Sequence, residues 1–257
     1  MRNYEYIDSL DYDKNMFIFG EPIETRFGII RYLTYKEYLK YLPYLSLISQ
    51  NTLHLYYQFK RIYKEKGILN DEKTKTALEQ MKKSSLYEII ITREEMLGAY
   101  ILVAQLVLDL NEEINLEKIF GTEEDFMFFR KLIMDMNVLT EEEVSPNEEI
   151  QNAIERSRRV KQKETEQQSF VDMVTSIVAS TNHSFEEVCK MTVFQVYATY
   201  ARIGAIYNYH ASTLFATVAE KVKVESWNKH IDLFAQESDV LTKDEFDNKF
   251  GSILGKR

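Results

Sequence analysis

The residues whose types and spacing could do chemistry are few. Asp11, Asp13 and Asn15 alternate as at the start of a calcium loop. Such a loop turns sharply on a Gly at its sixth position and takes a bidentate Glu at its twelfth. Here those positions hold Met16 and Pro22, so no EF-hand is expected. Gly251, Gly255 and Lys256 suggest a phosphate loop, but only three residues separate the glycines and no Ser or Thr follows the Lys. His54, His183, His210, His230 and the single Cys189 show no zinc spacing; His183 and Cys189 are six apart. Cys189, among apolar neighbours, reads as a small core residue more readily than as a nucleophile. Carboxylates fall in runs such as Glu141-Glu142-Glu143, which read as solvated faces and not as an acid–base pair. The sequence therefore implies a protein without catalytic residues, metal or cofactor.

Ser184 to Thr192, followed by a long apolar stretch, has the short-helix, turn, helix rhythm of a DNA reader. A recognition helix needs polar side chains for base edges. Its first turns would instead read Val193-Phe194-Gln195-Val196-Tyr197-Ala198, a surface that needs burial. With 41 acidic residues against 32 basic ones, net −9, the chain also repels phosphate backbones. No nucleic-acid partner is expected.

The elements that carry these residues are helical. The 257-residue chain is 45% apolar but has only 8 Gly and 3 Pro, too few for the turns of a strand-rich fold. We expect a mainly α protein with a small N-terminal β-hairpin or short sheet. The hairpin is expected from the runs 16–19 and 29–33, separated by Gly20-Glu21-Pro22 and Gly28. Thr34 with Glu37 forms a capping box, and Pro43 should kink or end the helix that follows. A second helix is expected over 53–66. Further boxes stand at Thr92/Glu95, Ser184/Glu187 and Thr242/Glu245, and Thr122 with Asp125 caps another helix. Trp227, His230, Ile231 and Phe234 share a helical stripe.

Three segments result: a hairpin plus helical domain over 1–139, a charged linker or exposed helix over 140–168, and a C-terminal helical domain over 169–257. The middle one has 8 carboxylates and 5 basic residues but few apolar ones. Met96–Leu108 is too short to span a bilayer, and Met191–Ala219 is too polar, so no membrane partner is expected. The first fifteen residues hold no apolar run and are not read as a signal peptide. A lone cysteine fits a reducing compartment.

Eleven of the 17 tyrosines lie within the first 63 residues. Most should line a helical core, but Tyr offers a large rigid area with a polar tip and suits binding surfaces. Tyr35, Tyr38 and Tyr41, with Tyr197, Tyr200 and Tyr207 on the long C-terminal helix and Trp227 after it, are the candidate partner-binding residues. Arg202, inside that apolar helix, should be a buried charge paired with a carboxylate or a carbonyl.

Two segments carry a resemblance. One is Phe17-Ile-Phe-Gly-Glu-Pro-Ile23, then Gly28-Ile-Ile and Thr34-Tyr-Lys-Glu-Tyr38. The other runs from Phe170 to Phe234, with Met191-Thr-x-x-Gln-x-Tyr197, then Arg202 and Trp227-x-x-x-Ile231. Together these resemble the tail assembly chaperones of long-tailed phages and prophages of Gram-positive bacteria, in their extended, two-domain form. The family's Pro before the helix-starting Thr is replaced here by Leu33. The resemblance implies a non-enzymatic protein of the infected host's cytoplasm that binds the tape-measure protein, helps recruit tail-tube subunits and is absent from the finished virion. A homo-oligomer is compatible with that role. The alternative is a structural tail or neck component retained in the particle.

Overall fold

The structure, a computed structural model, describes residues 4–108, 116–141, 143–164, 169–219 and 222–235. The helix expected after Thr242 lies outside them. The fold is mainly helical with one small sheet. β1 (Glu5–Ile7) pairs in parallel with β2 (Ile23–Thr25), and β2 pairs antiparallel with β3 (Gly28–Ile30), Ile23 facing Ile30.

The hairpin thus exists but is displaced from its expected place. Residues 16–19, read as its first strand, lie in a 3-10 helix over Lys14–Phe19. Asp13 accepts from the Asn15 backbone N–H at its start, and Gly20 ends it at φ 65°. The parallel β1–β2 pair needs a crossover, and this helix supplies it, with Phe17 fully buried.

α1 (Tyr35–Ile48) begins with the Thr34–Glu37 box and runs through Pro43 instead of ending there. Tyr38 before the proline and Leu45 and Ile48 after it are buried, and that packing outweighs the lost backbone bond. α2 (Thr52–Glu65), α3 (Glu72–Lys83), α4 (Leu86–Ile91) and α5 (Glu94–Val107) follow. Thr92 does not open α5 with Glu95. It ends α4, its hydroxyl donating to the Glu88 carbonyl at 2.7 Å, and α5 starts after Arg93. α6 (Leu116–Phe120) and α7 (Glu123–Met136) complete this half, and α9 (Phe170–Ser180), α10 (Phe185–Lys190) and α11 (Val193–Ala216) lie beyond the charged stretch.

The described residues within 1–142 and 168–234 form one compact unit with a continuous core. Phe17, Ile30, Tyr35, Tyr100, Phe126 and Phe129 are buried in it together with Ile177, Val188, Val193 and Val196. A second unit includes residues 143–167. Its described element is α8 (Glu148–Glu164), so residues 148–164 of the stretch left open as helix or tether over 140–168 are helical. The Asn147 side chain accepts from the Glu149 backbone N–H at 2.9 Å to start it, and Ile150 and Val160 are exposed.

Residues 222–235 contain no helix, although Trp227, His230, Ile231 and Phe234 fit a helical stripe. The carbonyls of Trp227 and Lys229, which a helix would use in its own ladder, are taken by Arg202.

Candidate functional site

Two helix starts meet at the centre of the larger unit. Thr34 caps α1 and Thr192 caps α11, each by accepting from the backbone N–H three residues on. Their partners Glu37 and Gln195 reach back to the cap N–H groups at 2.9 and 3.0 Å. The two threonines also face each other in an isolated antiparallel bridge, and the Tyr35 N–H donates to the Met191 carbonyl at 2.7 Å. The donors left over at both helix starts are thereby satisfied inside one joint.

The 3-10 helix closes this joint. Gln195 Nε2 donates to the Ile18 carbonyl at 2.9 Å. At Gly20 a Cβ would stand 3.0 Å from Thr192 Cγ2 and 3.3 Å from Gln195 Nε2, so a larger residue would crowd both neighbours as well as strain the positive φ that glycine adopts freely. Phe17 packs edge-on against Phe194 with ring centroids 6.1 Å apart. The two segments Phe17–Tyr38 and Met191–Tyr197, distant in sequence, are therefore in contact.

On the outer side, Arg31 grips Glu37 with two parallel hydrogen bonds of 3.0 Å. That pairing, with the Thr34 N–H, holds the Glu37 carboxyl down at about 2, against the desolvation that opposes it. Burial and the neighbouring Tyr197, which hydrogen-bonds its side chain, push the Tyr38 hydroxyl up, and burial raises Tyr35 to about 12.

Two buried charges on α7 brace the unit. Asp135 receives the Tyr12 hydroxyl at 2.9 Å, Lys14 at 3.0 Å and Lys131 at 2.6 Å. Arg130 is 2% exposed and donates to the Ile48 carbonyl (2.8 Å), the Gln50 carbonyl (3.1 Å) and Glu141 (2.5 Å). Sequence reading passed over both. A charge in an amphipathic helix reads as solvent-facing, and the partners here, the Ile48 and Gln50 carbonyls for Arg130 and Tyr12 and Lys14 for Asp135, are distant in sequence.

The candidate residues divide. Tyr35 and Tyr38 are buried, their rings stacked 6.1 Å apart, and belong to the core instead of a binding surface. Tyr41, Tyr197 and Tyr200 are half-buried; Tyr207 and Trp227 are exposed. Arg202 is not a buried charge but a half-exposed one. Its Nη1 donates to the carbonyls of Trp227 (2.5 Å) and Lys229 (3.0 Å), which ties residues 226–234 down across α11. Phe234 anchors the far end, packing on Phe194 at 6.2 Å and under Lys14 Nζ at 4.2 Å. Beneath this strap lies a cavity of about 540 Å³ whose cations are already engaged, Lys14 by Asp135 and Arg202 by carbonyls.

Among the described residues no group of three His, Cys, Asp or Glu side chains is placed to hold a metal ion, and no helix is long and apolar enough to cross a membrane. Cys189 is half-buried, not sealed in the core.

α11 changes character along its length. Val193, Phe194 and Val196 are buried at the joint, but every residue from Thr213 to Ala219 is exposed. Leu214 is 71% exposed, Phe215 63% and Val218 83%. From Ile203 to Ala219 there is no Asp, Glu, Lys or Arg. The packing of the described residues does not explain an apolar, uncharged helix end in water.

These features define a mainly helical scaffold whose capped joint holds one end of a helix and leaves the other bare. Family models for the YomV N-terminal domain and the YomV second domain match residues 12–146 and 161–232. The chain belongs to the YomV family, and the joint pairs Thr34 of the first matched domain with Thr192 of the second. It is 35% identical over 233 residues to the SPbeta prophage-derived protein YomV of Bacillus subtilis (strain 168), covering 90% of this chain and 94% of that protein. No solved structure matches it.

Proposed function

We propose that this is a phage protein that works by binding another protein, as a tail assembly chaperone covering apolar helix of the tape-measure protein. The observation that carries the reading is the bare end of α11, where Tyr207, Leu214 and Phe215, with Val218 just beyond the helix, stand in solvent with no charge among them. A chaperone for a long apolar helix needs such a surface, and it needs acidic charge elsewhere to keep the complex in solution; the chain carries net −9. The prophage origin of the relative supports a phage role. The segments that resemble tail assembly chaperones are also those that build the joint, so the resemblance follows structure-bearing residues.

In this reading the joint sets the direction of α11, and the partner's helix buries the exposed side chains, each contributing about 1.5–3 kcal/mol when fully covered. No residue does covalent chemistry. Coexpression with the tape-measure protein of the same prophage tests it. The expected result is that the otherwise insoluble partner enters the soluble fraction and is captured with this chain. A tape-measure protein that stays insoluble, with this chain found instead in purified particles, moves the assignment to a tail or neck component.

A further inference from the structure

α8 carries an apolar stripe that the other described residues leave largely open. Ile150, Ala153, Ile154, Ser157 and Val160 fall on one face at the helix period, and Ile150 and Val160 are half exposed. Its first turns are held: Gln151 is buried, and its Oε1 accepts from the Ser145 N–H at 2.9 Å. A lone helix of 17 residues is marginal in water unless its apolar face is covered. The second half of α8 is also strongly basic. Residues 156–163 hold five Arg or Lys and no Asp or Glu, within a chain of net −9.

The unit that contains α8 also takes in residues 235–257. Their sequence complements α8 in both respects. Residues 237–247 hold five Asp or Glu and one Lys. Phe246, Phe250, Ile253 and Leu254 recur at helical spacing after the Thr242/Glu245 box. We infer that the segment 237–254 docks along α8, with its apolar residues on the Ile150–Val160 stripe and its acidic run against the basic half. Charge selects this occupant. The acidic run gains opposite charges on α8, whereas residues 203–219 of α11 offer it none. Segment and site belong to one chain, so the docking needs no second molecule and does not vary with concentration. The stripe of α8 is then closed to other proteins, and the chaperone reading, which uses α11, does not depend on it.

The test uses the full-length chain with the photo-crosslinker p-benzoylphenylalanine in place of Phe250. Irradiation should give a product of single-chain mass in which position 250 is joined to a peptide from 148–164, in a yield unchanged by dilution. Val160→Glu puts a charge into the stripe, and Arg156→Glu reverses the exposed charge one turn before it. Each should lower that yield by about fivefold or more, whereas Val160→Leu and Arg156→Lys should keep it. Lys73→Glu, on α3, should not alter it. Cross-links to α11 or to any other element overturn the inference, and so does a product of two-chain mass. A yield that survives both Val160→Glu and Arg156→Glu overturns it as well.

Discussion

Thr34 and Thr192 each cap the helix that follows them, and the two residues face each other in one antiparallel bridge. That relationship makes the first turns of α1 and α11 a single joint, with Glu37 and Gln195 as its paired back-braces. It also accounts for the residue types on both sides. Threonine supplies the cap oxygen, Glu or Gln reaches back, and glycine at position 20 lets the 3-10 helix approach.

Gly20→Ala should therefore destabilise the fold by about 1–2 kcal/mol, from the positive φ and the close approach to Thr192 together. Thr192→Ala should cost about 1 kcal/mol through the lost cap. Urea unfolding midpoints measure both. A Gly20→Ala chain as stable as the parent would mean that the joint is looser than described.

The Glu37 carboxyl gives the joint an acid limit. Its folded value is held at about 2 by Arg31 and Thr34, below the ordinary carboxylate value. The stabilisation is thus complete above the unfolded carboxylate's range and is lost as pH falls from there toward 2. Thermal melts from pH 6 down to 2 should show a smaller acid-side loss for Glu37→Gln than for the parent. Equal slopes in the two proteins would remove Glu37 from the account.

Arg130→Met should be severely destabilising, on the order of 3 kcal/mol, because the buried carbonyls of Ile48 and Gln50 lose their donor together. Arg130→Lys should recover only part of that, since an ammonium cannot serve three directions from one plane. Comparing the unfolding midpoints of both variants checks the order: parent, then Lys, then Met.

Much of the fold is legible in the sequence because helix caps are local. The boxes at Thr34 and Ser184 and the cap at Thr122 stand where the helices begin. What escaped reading depends on distant partners. The run Met16–Phe19 is equally apolar as a strand or a 3-10 helix, and its role as a crossover follows from the parallel β1–β2 pairing. The stripe 227–234 has helical spacing, but Arg202 holds its carbonyls. Tyr35 and Tyr38 have the type that suits a binding surface, yet the core closes over both. Of the candidate site, the apolar length of α11 was legible; which half of it is covered was not, because that depends on the joint.

Arg202→Met should release the strap without unfolding the unit. The chain has a single tryptophan, Trp227, so its fluorescence reports this segment alone. We expect a shift of the emission toward longer wavelength and faster proteolysis between 222 and 234, with a melting temperature within a few degrees of the parent's, since a half-exposed hydrogen-bonded charge contributes about 1 kcal/mol. Unchanged emission and unchanged cleavage would show that Phe234 holds the strap by itself.

The central claim is that the bare end of α11 binds the partner. The direct measurement is affinity capture of coexpressed tape-measure protein by the parent chain and by a Leu214→Glu/Phe215→Glu chain, each with its melt recorded. The account predicts soluble, captured partner with the parent and little or none with the variant, at equal melting temperatures. Equal capture by both chains would contradict it, because the two most prominent apolar side chains on that helix end would then have no part in binding.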